Sequence, residues 1–268
     1  MAEYFGTLTA TQKANINFII TRMKQKGITN PFIQAGILSV VSKESGFIPK
    51  RELSYKTTSN DRIRAIFGKL KNYSDADLNA LKANDENFFN AIYGGMFGNA
   101  ANEGYKYRGA GFNQLTFKGN FKAIGDKIGV DLVKYPEKLN ELPTATDALL
   151  QYFIDRFTAA PADKLNAYGA KNINDFKNIK DSTAAAYHAN AGWGKSVDSV
   201  KSDGTGGFAK AQDRASGFLE MAKAGGNLQL FFLRKAWSTK MGKITIITSA
   251  SLITLAVAGL IMYKHKNK

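Results

Sequence analysis

Apolar residues recur at helical spacing over most of the chain. Residues 9–26 read as a helix: Thr9 and Gln12 form a capping box, and Gly27 stops it. Asn30-Pro31 then sets an N-cap before a proline at the first helical position. The stretch that follows, FIQAGILSVVSKESG, is apolar on nearly every side until Ser42, which predicts a helix buried all round. It ends at Ser45-Gly46 with Glu44 in its last turn, an unusual place for a carboxylate because ionised groups resist burial. Residues 47–58 read as irregular. Helical patterns resume at 60–70, at 75–82 behind a Ser74 cap, and at 85–93. Residues 94–113, rich in Gly, Asn and Tyr, have no helical period and predict a loop leading to a short strand or hairpin. Further helices are expected at 117–128, 144–158 behind a Thr144 cap, 172–179, 182–190 and 208–224. The run from Ser202 to Gly207 reads as a flexible loop, and Ala224-Gly225-Gly226 as the end of the globular part. The expected class is mainly α with a small β-hairpin region.

Residues 244–263, ITIITSASLITLAVAGLIMY, contain no charge. At about 1.5 Å per residue they reach across roughly 30 Å of hydrocarbon, which predicts one transmembrane helix. Trp237 and Tyr263 stand where interfacial aromatics belong, and lysines bracket both ends, so the charge bias leaves orientation open. The chain therefore divides into a domain over 1–225, a linker or interfacial segment over 226–243, the span over 244–263 and a basic tail over 264–268. The start, MAEYFGTLTATQKAN, lacks a basic region followed by an apolar run and does not read as a secretory signal.

Composition narrows the chemistry. There is no cysteine, hence no thiol nucleophile or disulfide framework. His188 and His265 are the two histidines, too few for a His or Cys/His zinc site. No phosphate-cradling glycine motif appears, and neither a metal nor an organic cofactor is expected. The segment 244–268 holds three lysines and no acid, so of the net +15 the remainder carries +12. A basic surface suits a polyanion, but the lysines are scattered rather than arranged in an aromatic-interleaved stripe, so nucleic acid is not the expected partner. Carboxylates, hydroxyls, amides and aromatics are left.

Glu44 is the first candidate, because a carboxyl group in an apolar pocket stays protonated and can serve as a general acid. Glu52, in PKRELSY, is the second carboxylate that glycoside cleavage commonly needs, with Asp61 its rival and an exposed loop glutamate the plain alternative. In EGYKYRGAGFNQLT, the glycines at 104, 109 and 111 permit close backbone approach, and Tyr105 and Tyr107 offer flat faces to sugar rings. On a strand, Gln114 and Thr116 would share one face. Asn190, beside a glycine turn, could present its amide to substrate. His188, two residues earlier, reads as a packing residue.

Taken in order, SKESGF, RELSY, YGGMFGN and GYKYRGAGFNQLTFKGNF resemble segments of glycoside hydrolase family 19 and its phage endolysin branch, within the lysozyme-like superfamily. The resemblance covers roughly residues 10–195, and the long central motif is its most specific part. It implies an α+β lysozyme-like domain with Glu44 as general acid, Glu52 as base, Gln114 and Thr116 holding substrate and the attacking water, and Asn190 at the asparagine of the family's late segment. This sequence departs from the pattern at Lys43 (usually histidine), Phe47 (usually a second glycine), Ala110 (usually arginine) and Ala191 (usually glycine). The implied substrate is an N-acetylhexosamine polymer, chitin or peptidoglycan.

The expected anchor without a leader favours a phage enzyme on peptidoglycan, held in a virion membrane or the host inner membrane beside other virion proteins and used for entry or lysis. A lytic transglycosylase on the same fold, a chitinase and a non-catalytic structural membrane protein are the alternatives.

Overall fold

The computed structural model describes Phe5, residues 7–201 and residues 207–225. The linker 226–243, the expected span 244–263 and the tail 264–268 lie outside the described residues. Among the described residues, no helix is long and apolar enough to cross a membrane. The architecture is mainly helical.

The centre is α2 (Pro31–Glu44), which follows α1 (Ala10–Gln25). Every residue of α2 from Ile33 to Ser42 is buried, as its all-round apolarity requires. Asn30 caps it by accepting from the amides of Phe32 and Ile33, and its own amide group donates to the Asn174 and Phe176 carbonyls. Two helices flank it closely, α9 (Ile179–Asn190) and α11 (Gly207–Lys223). The α2–α9 contact is almost backbone on backbone: a Cβ at Gly36 would stand 2.7 Å from the Ser182 carbonyl oxygen. Small residues on α9 (Ala184, Ala185, Ala186 and Ala189) are all buried at this seam or beside it.

Three apolar clusters build the domain. The largest surrounds α2 and includes Phe47 and Phe112. A second, with Tyr107, Ala110, Leu115 and Phe121, joins α6 (Lys118–Ile128) to α7 (Leu142–Thr158). A third is made by α3 (Asn60–Ile66), α4 (Asp75–Lys82) and α5 (Asp85–Tyr93), with Ile63, Leu70, Phe88 and Phe89 inside. The segment 107–115 therefore straddles the first two clusters, and Tyr105 packs on the third.

Several expectations need correction. The hairpin is absent among the described residues: one antiparallel bridge, Ala110 with Leu115, closes a four-residue turn. The expected helix over 172–179 is irregular. There Asn172 and Asp175 accept from the backbone amides of Asn174 and Lys171, and Asn174 turns to bond Thr29, Asn30 and Gly27, so side chains outcompete the helix. Asn178 instead caps α9, which begins at Ile179 rather than at 182. The 60–70 pattern breaks at Phe67, and a 3-10 turn takes Gly68–Leu70. Two short helices, α8 (Ala162–Ala167) and α10 (Val197–Lys201), have no clear sequence signal.

Two outcomes follow from this packing. Gly36→Ala should cost about 1–3 kcal/mol in urea or thermal unfolding, because the methyl group must push two helices apart. Asp147 on α7 bonds Arg22 of α1 at 2.7 and 2.8 Å, with Lys26 also near, and the Arg22 hydrogen bond foremost holds its carboxyl below the ordinary 3.8. Stabilisation of this origin is present above that value and lost as pH falls through the folded one. Asp147→Asn should therefore lower stability at neutral pH, and its deficit against wild type should close as pH drops below 3.8.

Candidate active site

Glu44 is the last residue of α2. The chain leaves that helix through two left-handed residues, Gly46 (φ 59°) and Phe47 (φ 64°). Two side chains of α1 lock this exit: Gln12 Nε2 donates to the Gly46 carbonyl at 2.8 Å and Asn15 Nδ2 to the Phe47 carbonyl at 2.7 Å. The Phe47 ring is fully buried against Phe218 of α11. Glu44 is thus aimed by a rigid helix end, with 24% of its side chain exposed. Its surroundings differ from the apolar pocket that its position predicts. Lys43 Nζ lies 2.9 Å from Glu44 Oε1 and 5.4 Å from the centre of the Tyr187 ring on α9. A helix C-terminus is an unfavourable place for an anion, and the lysine offsets it. Tyr187 stands one turn before Asn190, so the lysine draws the end of α2 and the last turn of α9 together. Asn190 is half-buried, and its carbonyl accepts from the Tyr152 hydroxyl at 3.0 Å.

Glu52 is set in a cage of donors. Its Oε1 accepts from the hydroxyls of Tyr55 (2.9 Å) and Tyr93 (3.0 Å), and its Oε2 from the Gly109 amide at 3.1 Å. The Glu52 amide in turn donates to the Gly109 carbonyl at 2.7 Å. Burial first, and the Glu52 charge second, push both tyrosine hydroxyls above their ordinary range, so they remain protonated donors. A carboxylate offers about four lone-pair sites. Three are filled here, which leaves one on Oε2 for a water or a substrate hydroxyl. Gly109 leaves room for both side chains: a Cβ there would meet Gln114 Oε1 at 2.9 Å and Glu52 Oε2 at 3.1 Å, so one or both would have to shift. Carboxylate and amide therefore close on one backbone position.

Gln114 reaches the site by a different route from the one expected. It is left-handed (φ 54°), so it and Thr116 are not alternate residues of a strand. Its Nε2 donates to the carbonyls of Lys50 (3.0 Å) and Gly111 (3.1 Å), pinning the turn to the Glu52 segment. The Thr116 hydroxyl donates to the Gln114 carbonyl at 2.9 Å and supports that turn. Tyr107 is no sugar platform: its ring is fully buried in the second cluster, and its hydroxyl donates to the Val133 carbonyl at 3.0 Å. Tyr105 has the Arg108 guanidinium 3.9 Å from its ring centre, so that face is covered. Arg51, pressed into the same seam, is pushed down to about 10 by burial and by neighbouring Arg108. Asp61, with a side chain 98% exposed and bonded to Arg64, stands outside the Glu52 cage. His188 is buried and bonded to the Tyr168 hydroxyl, as a packing histidine.

The structure thus joins Glu52, Gln114 and Gly109 in one cluster, and Glu44 with the Asn190 turn in another. Sequence reasoning gave no role to Tyr55 or Tyr93. Tyr55 lies three residues after Glu52, but nothing local marks Tyr93, 41 residues away, as its partner. Among the described residues, five that are not glycine have positive φ: Phe47, Phe97, Gln114, Phe117 and Trp193. Four of the five fall within the segments 42–47, 93–99 and 104–121, and Trp193 follows the Asn190 turn. Such backbone costs about 1–3 kcal/mol at each position and gathers at functional sites. Compared with models of protein families, the chain finds no match, and compared with curated protein sequences it finds none.

Tyr93→Phe should lower unfolding free energy by about 1.5–3 kcal/mol, the worth of a hydrogen bond to a charged group. Gly109→Ala should displace Glu52 and Gln114 together. Unchanged Glu52 side-chain signals by NMR in that variant would contradict the shared closure.

Proposed function

We propose that the chain is a peptidoglycan hydrolase that cuts β-1,4 glycosidic bonds by carboxylate acid/base catalysis, tethered to a membrane through residues 244–263. The observation that carries this reading is the Glu52 cage: an oriented carboxylate with one acceptor position left, beside an amide that closes on the same glycine. It is supported by Glu44 at the tip of a rigid helix, and by the gathering of backbone strain in the segments that resemble family 19 and the endolysins.

In this mechanism the glycan strand displaces Lys43 from Glu44, which takes up a proton and gives it to the glycosidic oxygen as the bond to the anomeric carbon breaks. Glu52 Oε2 takes a proton from the attacking water, whose oxygen bonds to that carbon with inversion, as the resemblance implies. Gln114 and Thr116 keep the Glu52 wall in register, and Asn190 faces substrate from the α9 side. A catalytic part of net positive charge suits the anionic wall. Such an anchor and such a substrate would suit a virion membrane or the host inner membrane, where the protein would open the wall at entry or at lysis.

The test is full-length protein on purified peptidoglycan, with product ends read by mass spectrometry. Wild type is expected to release reducing ends. Glu44→Gln and Glu52→Gln should each cut slower by roughly 10²–10⁴-fold, the usual contribution of a positioned acid or base. Anhydro ends, with Glu52→Gln still active, would replace hydrolysis by attack of the sugar's own hydroxyl. A folded wild type that leaves peptidoglycan intact would overturn the enzyme reading.

A further inference from the structure

The buried Tyr107 and covered Tyr105 leave the Glu52 cluster without either of its expected aromatic platforms, yet two other aromatics stand beside it. Tyr93, whose hydroxyl bonds Glu52, meets the Phe117 ring edge-on at 5.4 Å, and Phe117 meets Phe97 at 4.8 Å. Phe97 is 68% exposed, so the row runs from the carboxylate outward to solvent. Both phenylalanines sit in left-handed backbone, Phe97 at φ 45° and Phe117 at φ 76°. That is a genuine outlier for a bulky side chain and persists only where the surroundings impose it.

The surroundings do impose it. The Gly119 amide donates to the Phe97 carbonyl at 3.0 Å, and a Cβ at Gly119 would come within 2.8 Å of that oxygen. The Asn99 side chain ties the two loops again: its Oδ1 accepts from the Lys118 amide at 2.8 Å, and its Nδ2 donates to the Tyr93 carbonyl at 2.9 Å. The Phe117 amide donates to the Tyr107 carbonyl at 2.9 Å. Two loops are thus locked in strained conformations whose visible result is one apolar side chain held out in water. Packing does not explain this, because a buried Phe97 would gain more than an exposed one. A ligand with a flat apolar face does.

We infer that Phe97, backed by Phe117, is a sugar-stacking ledge: it receives the apolar C–H face of an N-acetylhexosamine ring in the glycan strand, one or more rings away from the bond at Glu52. The inference rests on the proposed peptidoglycan reading for its ligand class and on the strained aromatic row for its place. Lys69, whose ammonium donates to the Gly94 carbonyl at the base of the same loop, adds positive charge there, which suits the carboxylates of the strand's peptide stems.

The experiment measures retention of the full-length chain on purified peptidoglycan, and its competition by a soluble N-acetylglucosamine hexamer. It compares wild type with Phe97→Ala and Phe97→Trp, each in a Glu44→Gln background so that cleavage does not intrude. Expected is retention weakened about three- to tenfold in Phe97→Ala, the range for one lost aromatic contact. Phe97→Trp should retain the strand as wild type does, and the hexamer should compete both. Thermal stability should fall only slightly, by no more than the lost Phe97–Phe117 contact, since the ring is mostly exposed and alanine keeps the same backbone restriction.

Equal retention of Phe97→Ala and wild type would sink the ledge while leaving cleavage by the Glu44-intact protein, and so the hydrolase reading, standing. Retention that falls but is never competed by the hexamer would make the ledge a contact for something other than sugar and overturn the inference. A chain that binds through Phe97 but cuts nothing with Glu44 intact would keep the ledge and remove the hydrolase. A folded chain that neither binds nor cuts overturns both.

Discussion

The Glu52 carboxylate is the point on which the candidate site depends. It lies on an irregular stretch with no helix or strand to hold it, and it is fixed by donors from three places: Tyr55 on its own segment, Tyr93 at the end of α5, and the Gly109 amide. Those donors belong to separate parts of the core, since Tyr55 and Tyr93 pack on the third cluster while Gly109 adjoins Ala110 of the second. One charge therefore stitches two packing units together. Its loss would strand two hydroxyls and an amide, and unmade hydrogen bonds in a partly buried setting cost more than made ones contribute. The same geometry that stabilises the seam orients the carboxylate and rations its remaining acceptor capacity.

Glu44 is positioned on a different physical basis. It needs no cage because α2 is rigid: ten consecutive residues of that helix are buried, and α9 approaches so closely at Gly36 that there is no room for a methyl group. The exit from the helix is then held by Gln12, which at the same time completes the capping box of α1. One glutamine side chain thus links the start of one helix to the end of another. An acid on a stiff helix and a second carboxylate on a hydrogen-bonded loop divide the work of positioning between packing and polar contacts.

The helices were largely legible. Thr9 with Gln12, Asn30 with Pro31, and Ser74 each announce a start that the backbone adopts, and the nearly all-round apolarity of 32–41 announces burial. The failures have a common cause. Over 172–179, Asn and Asp side chains bond nearby backbone amides, and Asn174 also reaches the backbone of the distant Gly27 to Asn30 segment, so the segment is held without helical bonds. At 110–116 the alternation that suggested a strand is instead a tight turn through left-handed Gln114, closed by one bridge. Local patterns report propensities, and non-local hydrogen bonds outbid them.

The division at the site is the same. The sequence by itself determined which residue types could act: with no cysteine and two histidines, only carboxylates, hydroxyls, amides and aromatics remained, and helix signals put Glu44 at the end of a buried helix. Only the tertiary structure decided that Tyr107 is core while Phe97 is surface, that Tyr55 and Tyr93 serve Glu52, and that Lys43 reaches Glu44 and Tyr187 together. An aromatic ring carries the same pattern value whether it faces the core or solvent. A hydroxyl finds its acceptor through the folding of chain segments tens of residues apart, which no local spacing encodes.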